Sequence, residues 1–134
     1  MKTRLLVVGF AALTLWGADP ASAFIAANTI DRHATYKADG ARVRATGPIG
    51  CTSGERVSIR VTFTQAAIGA RARKAWTGRC TGEIQHWQVR ARARQGARFE
   101  TGAGRVCAVA KTRTAGRVTD TRKWCERVAV SADF

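Results

Sequence analysis

Histidine is nearly missing from this 134-residue chain, with two copies, and acidic residues are scarce, nine against 23 Lys and Arg. That leaves little material for acid–base chemistry. No G-x-S-x-G, no H-E-x-x-H and no phosphate-cradling Gly-rich loop is present, and no unpaired Cys is expected as a nucleophile. Cys51, Cys80, Cys107 and Cys125 show no C-x-x-C spacing, no His stands at ligand spacing from them, and no haem-attachment pattern occurs. Neither a metal nor a cofactor is therefore expected. No segment carries an apolar stripe of about 11 residues at helical spacing. The length allows one small domain, too little for a cofactor domain beside a substrate domain. These absences point to a non-enzymatic protein without helices.

What is present begins with an export signal. Lys2 and Arg4 precede an apolar run from Leu5 to Ala18, and Asp19-Pro20 breaks it ahead of Ala21-Ser22-Ala23. Small residues at the −3 and −1 positions suit a signal peptidase, so cleavage is expected after Ala23. The run falls short of the ~20 residues that cross a membrane. A secreted, extracellular protein without a transmembrane segment is expected. Loss of Lys2, Arg4 and Asp19 with residues 1–23 leaves 21 basic and 8 acidic residues, a net charge of +13. In an oxidising destination four Cys form disulfides by default. Hydrophobic residues make up 46% of the chain, but many are Ala, so the core is thin and benefits from covalent staples.

Residues 24–40 are weakly patterned and read as an N-terminal arm or edge segment, ahead of a single β domain over 41–134. From Ala41 the hydrophobic period becomes two. Arg42-Val43-Arg44-Ala45 alternates until Gly47-Pro48 and Gly50 interrupt it. Arg56 to Gln65 is the clearest strand, with Val57, Ile59, Val61 and Phe63 on one face. His86 to Arg94 alternates Trp87, Val89, Ala91 and Ala93 against Gln88, Arg90, Arg92 and Arg94. Further strands are expected near 70–77, 105–112 and 123–130, with Gly punctuating them. The fold class expected is all-β: a small antiparallel sandwich of Ig-like type, or a barrel, held by two disulfides.

Four Cys allow three connectivities. Opposing Cys51 and Cys80 across a hairpin that turns near Gln65-Ala66 sets Ile59 against Ala72, Val61 against Ala70 and Phe63 against Ile68. Both sulfurs then lie on the apolar side. Cys107 and Cys125 are equidistant from Gly116, although Val106, Ala108, Trp124, Val128 and Val130 take the opposite face, which a bulge or an outward disulfide reconciles. Cys51–Cys80 with Cys107–Cys125 is favoured; the rival is a bond between two packed sheets.

The same registers place charge outward. Arg60 is expected opposite Arg71, and Ser58 opposite Arg73, while Arg90, Arg92 and Arg94 recur at steps of about 6.8 Å along one strand. Arg42 and Arg44 add a further pair. Two readings stand. One is a solvated face, since Arg exceeds Lys by 17 to 4 after residue 23, as a GC-rich genome writes. The other is an anion-binding face made by Arg60, Arg71, Arg73, Arg90, Arg92 and Arg94, for an anionic cell-envelope polymer, nucleic acid bound non-specifically, or an acidic protein. Trp76 and Trp87 fall on the core parity, so base stacking is not expected. Two alternatives remain: an inhibitor or toxin-like protein acting through Gly47–Gly54, and a small hydrolase such as a ribonuclease built from His86, Arg90 and either Glu83 or Glu100.

GCTSGERVSIRVTFTQ (50–65), WTGRCTGEIQHW (76–87) and VTDTRKWC (118–125) resemble stretches of small secreted proteins of high-GC Gram-positive bacteria, a resemblance that implies export and no activity. The subtilisin inhibitors of such bacteria share size and two disulfides. Their M-C-P-x reactive loop and cysteine spacing are not found here. A monomeric extracellular binding module is the function expected.

Overall fold

The computed structural model describes residues 24–26 and 29–133, so the signal segment read at 1–23 lies outside the described residues. Eight strands follow in chain order: β1 (Ile25–Ala26), β2 (His33–Lys37), β3 (Arg42–Cys51), β4 (Arg56–Gln65), β5 (Ala70–Arg79), β6 (Ile84–Arg92), β7 (Gly102–Thr114) and β8 (Arg117–Ala132). The class is all-β with two disulfides, Cys51–Cys80 and Cys107–Cys125. The sheet is mixed, because β2 runs parallel to β8, and it does not close into a barrel. Strands succeed one another as β6, β3, then β1 and β2 side by side along β3, then β8, β7, β4 and β5. Both ends of this series feed one cluster of buried residues, from Val43, Ile49 and Trp87 to Ile59, Phe63 and Val106, so the sheet folds over onto itself. The free strands β5 and β6 meet near Arg71, whose carbonyl accepts the Arg94 N–H at 2.9 Å.

Residues 24–40, expected as an arm or edge segment, supply two strands, and β2 lies between β3 and β8. β3 runs on through Gly47-Pro48 without the expected interruption. The physical reasons are local. Gly47 lies opposite Trp87, and a Cβ there would stand 2.6 Å from Cζ2 of the indole; only glycine lets the ring lie flat on the backbone. The Thr46 carbonyl accepts from Asp31 N–H on the side of β3 away from β6, so Pro48, two residues on, also turns its nitrogen to that side. There, β2 pairs with 42–44 and β1 with 50–51. Proline thus falls in the gap between them, where no ladder needs its missing N–H.

β4 follows its alternation, and its partner β5 is displaced from the expected register. Ile59 faces Trp76, not Ala72; Val61 faces Lys74, not Ala70; Phe63 faces Ala72, not Ile68. The hairpin turns through Ala66–Ile68 and a left-handed Gly69, further along than Gln65-Ala66. Cys51 belongs to β3 rather than to β4, because the chain reverses at Thr52–Glu55. Cys80 instead continues the β4–β5 ladder against Glu55, donating its N–H to the Glu55 carbonyl at 2.8 Å. The displacement is four residues, an even number, so every side chain keeps its face.

At the other hairpin both reconciling devices occur. Ala115 and Gly116, at φ 49° and 79°, form a two-residue turn between Thr114 and Arg117, the positive-φ geometry that matches strand twist. A register shift at Thr112/Arg113 then leaves Thr119 as the extra residue and sets Cys107 directly against Cys125, with Cα atoms 4.0 Å apart. The disulfide lies on the outer face, since Val106, Ala108, Trp124 and Val128 are buried on the other.

Candidate functional site

Four adjacent strands, β5, β4, β7 and β8, present one outer face. Alternation sends Arg56 and Arg60 outward from β4, Arg71, Arg73 and Arg79 from β5, Arg105, Lys111 and Arg113 from β7, and Lys123 and Arg127 from β8. Those ten cations share the face with Ser, Thr, Ala and Val and with the Cys107–Cys125 disulfide. No carboxylate occupies an outward position of these ladders. Nearby acids lie off the outward positions: Glu55 is buried and accepts a hydrogen bond from Thr119 at 3.1 Å, Asp120 accepts the Ile25 N–H at 2.8 Å, and Glu126, opposite Val106 on the other parity of β8, borders a pocket with Arg105 and Arg127.

The register also sets like charges directly across from one another. Arg56 faces Arg79 on one side and Arg113 on the other, and Arg105 faces Arg127. On the far half of the sheet Arg42 faces Arg92 and Arg44 faces Arg90. Directly opposed residues have Cβ atoms about 4.5–5.5 Å apart, and like charges there are destabilising. The arrangement is relieved by counter-ions or by an anionic partner. Relief from within the protein is slight: Arg44 lies 3.6 Å from Asp133, and Arg113 donates to the Ser58 hydroxyl at 3.2 Å.

No family model and no curated protein matches the chain. Among solved structures it is similar to a glycosyl hydrolase family 2 member from Bacteroides cellulosilyticus, at 9% identity and a TM-score of 0.40. That match covers 78% of this chain and spans 13% of the length of the other.

The six arginines singled out from the sequence are all exposed, and they divide between two regions. Arg60, Arg71 and Arg73 lie on the ten-cation face, while Arg90 and Arg92 lie on the outer side of β6, beside β3. Arg94 follows β6, at the point where it meets Arg71. Two expected oppositions are corrected by the β4–β5 register: Arg60 faces Ala75 rather than Arg71, and Ser58 faces Thr77 rather than Arg73. Arg73 stands opposite Thr62, one step diagonal from Arg60. Arg56 takes the same outward parity as Arg60 in the sequence, and six further members of the face lie outside the set singled out there. Reading hairpins one at a time pairs β4 with β5 and β7 with β8, but not β4 with β7. It is the β4–β7 ladder that joins the two hairpins into one surface.

Of the residues read as a hydrolase set, Glu83 lies exposed just before β6 at the His86 end, whereas His86, Arg90 and Glu100 lie apart. His86 points outward opposite Pro48, and Arg90 lies four residues further along the same strand, about 14 Å away. Glu100 binds Gln65 through its backbone N–H and carbonyl, 2.9 and 2.7 Å, at the Arg94 end of β6. Of the segment 47–54 offered as a reactive loop, 47–51 is paired strand. Among the described residues no group of three or more His, Cys, Asp or Glu is placed to hold a metal ion, and no helix is long and apolar enough to cross a membrane. Trp87 and Trp124 are buried and Trp76 packs against the core, so none of these three offers a stacking platform beside the arginines.

Proposed function

We propose that this chain is a secreted, non-enzymatic binding module whose basic sheet face takes an anionic polymer of the cell envelope. The observation that carries the reading is the outer face of β5, β4, β7 and β8, where arginines oppose arginines and no carboxylate intervenes. A merely solvated surface gains nothing from such pairs, whereas a polyanion with regularly spaced charges turns each from a cost into a contact. Along the strands the cations stand at steps of about 7, 14 or 20 Å, and neighbouring strands are about 4.8 Å apart, an irregular grid that accepts a flexible chain in several registers. Recognition is therefore of charge density, without sequence readout. Acidic proteins and nucleic acid bind the same face non-specifically, and the two disulfides suit an extracellular setting.

The test compares two variants of equal net charge. Arg56→Gln/Arg105→Gln/Arg113→Gln removes three members of the face; Lys74→Gln/Arg98→Gln/Arg117→Gln removes three cations from elsewhere. Binding to a poly(glycerol phosphate) chain is followed across a salt series, with a DNA duplex as calibrant. For the duplex, each lost phosphate contact lowers the slope of log K against log salt by about 0.9, so the first variant loses about two to three units of slope. The second variant keeps a slope near the parent's. Equal losses in both variants would show generic charge and overturn the reading.

A further inference from the structure

Beside β2, β3 and β6, away from the ten-cation face, lies a cavity of about 310 Å³. Its charged lining is Lys37, Arg42, Arg44, Arg90 and Asp133. Three adjacent strands bring the cations together: Lys37 stands opposite Arg42 across the β2–β3 ladder, and Arg44 opposite Arg90 across the β3–β6 ladder. The volume is at the low end for a small-molecule site. Asp133 sits at the rim, its backbone N–H donating to the Tyr36 carbonyl at 3.0 Å. One carboxylate oxygen lies 3.5 Å from the Lys37 ammonium and 3.6 Å from the Arg44 guanidinium. A single carboxylate thus already touches two of the four cations, and the chain itself supplies it.

We infer that this cavity binds a phosphate ester, and that Asp133 is a built-in competitor for its Lys37 and Arg44 contacts. Charge selects the ligand class. Four cations against one carboxylate leave a surplus of three, which a carboxylate ligand relieves by one and a phosphate monoester by ≈ 1.5 to 2. Guanidinium groups match phosphate oxygens in bidentate geometry, and Arg44 and Arg90 present two from facing strands. Ala38 is exposed and lines the same cavity, giving the ester's carbon portion an apolar contact, which favours an ester over bare phosphate. The site does not depend on polymer binding by the ten-cation face, so either assignment can fail alone.

Calorimetric titration with glycerol 3-phosphate at fixed ionic strength tests it, with inorganic phosphate and lactate as comparison ligands. Saturable one-to-one binding is expected, with both comparison ligands weaker than the ester. Arg44→Gln and Arg90→Gln each weaken binding about tenfold, the loss of one charge-assisted hydrogen bond. Asp133→Asn, with an unchanged melting temperature, tightens binding about threefold to tenfold by freeing Lys37 and Arg44. Arg117→Gln, remote on the β7–β8 turn, leaves affinity at the parent's value. Competition by a poly(glycerol phosphate) chain, dependent on Arg44, assigns the ester to a polymer unit; its absence assigns a free small ester. The inference is overturned by a lack of saturable binding, by an Asp133→Asn variant that binds no tighter, or by equal weakening from Arg117→Gln and Arg44→Gln.

Discussion

Consider alanine at position 47. Inside a strand, replacing glycine by alanine ordinarily gains about 0.5–1 kcal/mol, because the unfolded chain loses less freedom on folding. At Gly47 the added methyl meets Trp87 at 2.6 Å from Cζ2, 2.8 Å from Cε2 and 2.9 Å from Nε1. Carbon atoms in contact prefer about 3.5–4.0 Å, so the ring must retreat by about 1 Å. It has nowhere to go, being 0% exposed in an interior packed like a crystal. Overpacking of this kind costs about 1–3 kcal/mol, and three close contacts on a rigid ring put Gly47→Ala at the upper end. Net of the backbone gain, a loss of about 2 kcal/mol remains, a fall in melting temperature of about 6–10 °C for a domain of about 110 residues. The partner variant is Trp87→Leu, which lacks all three crowded atoms and sacrifices no hydrogen bond, because the indole Nε1 is buried without a partner. In that background Gly47→Ala should revert to a small gain, giving a coupling of about 2–3 kcal/mol in a double-mutant cycle read by thermal and urea unfolding. A Gly47→Ala single variant that melts at or above the parent temperature, or one that costs the same in both backgrounds, refutes the reasoning.

Two further outcomes follow from the turns and staples. Ala115 holds a positive φ of 49° in the β7–β8 turn, so Ala115→Gly relieves left-handed strain and should raise stability by about 0.5–1 kcal/mol in urea titration. Removing Cys51–Cys80 by paired alanines releases a loop of 29 residues' separation, worth about 3–4 kcal/mol in the chain-entropy model. Removing Cys107–Cys125, which spans 18 residues inside a hairpin already laddered on both sides of the bond, should cost less, and thermal melts of the two double variants rank them.

Much of the fold was legible where burial is one-sided. In β4 the run Val57, Ile59, Val61 and Phe63 against Arg and Thr declares both the strand and its faces, and in β6 the alternation around Trp87 does the same. Cysteine spacing led to the right sulfur pairs. For 51–80 it did so through a hairpin register that the structure does not contain, since Cys51 sits before the Thr52–Glu55 reversal. Faces survived that error because an even slip preserves parity. β2 stayed hidden because His33, Thr35 and Lys37 alternate with only Ala34 and Tyr36, too short a pattern to separate from a loop. β3 stayed partly hidden because glycine and proline usually end strands, and the two features that permit them here, a flat indole and a gap between β1 and β2, belong to other segments. The candidate sites were the least legible part. Strand by strand, Arg60, Arg71, Arg73, Arg90, Arg92 and Arg94 read as a stripe. The surface to which Arg60, Arg71 and Arg73 belong is assembled by the β4–β7 ladder, and the cavity that Arg90 lines by the meeting of Lys37 with Asp133, distant in sequence.

The parallel pairing of β2 with β8 bears on the order in which this protein can fold. His33 lies beside Ala129, nearly the whole chain apart, whereas the β4–β5 and β7–β8 hairpins close over short spans. Loop-closure entropy favours the hairpins first and defers contacts of long separation. A chain delivered N-terminus first therefore holds β2 without its β8 partner until the final residues arrive. Until then β2 has no β8 beside it, and the sheet keeps an open edge there. β8 thus closes the sheet, and with Asp133 it also completes the rim of the phosphate-ester cavity. Loss of a few C-terminal residues would alter the binding site while sparing both hairpins.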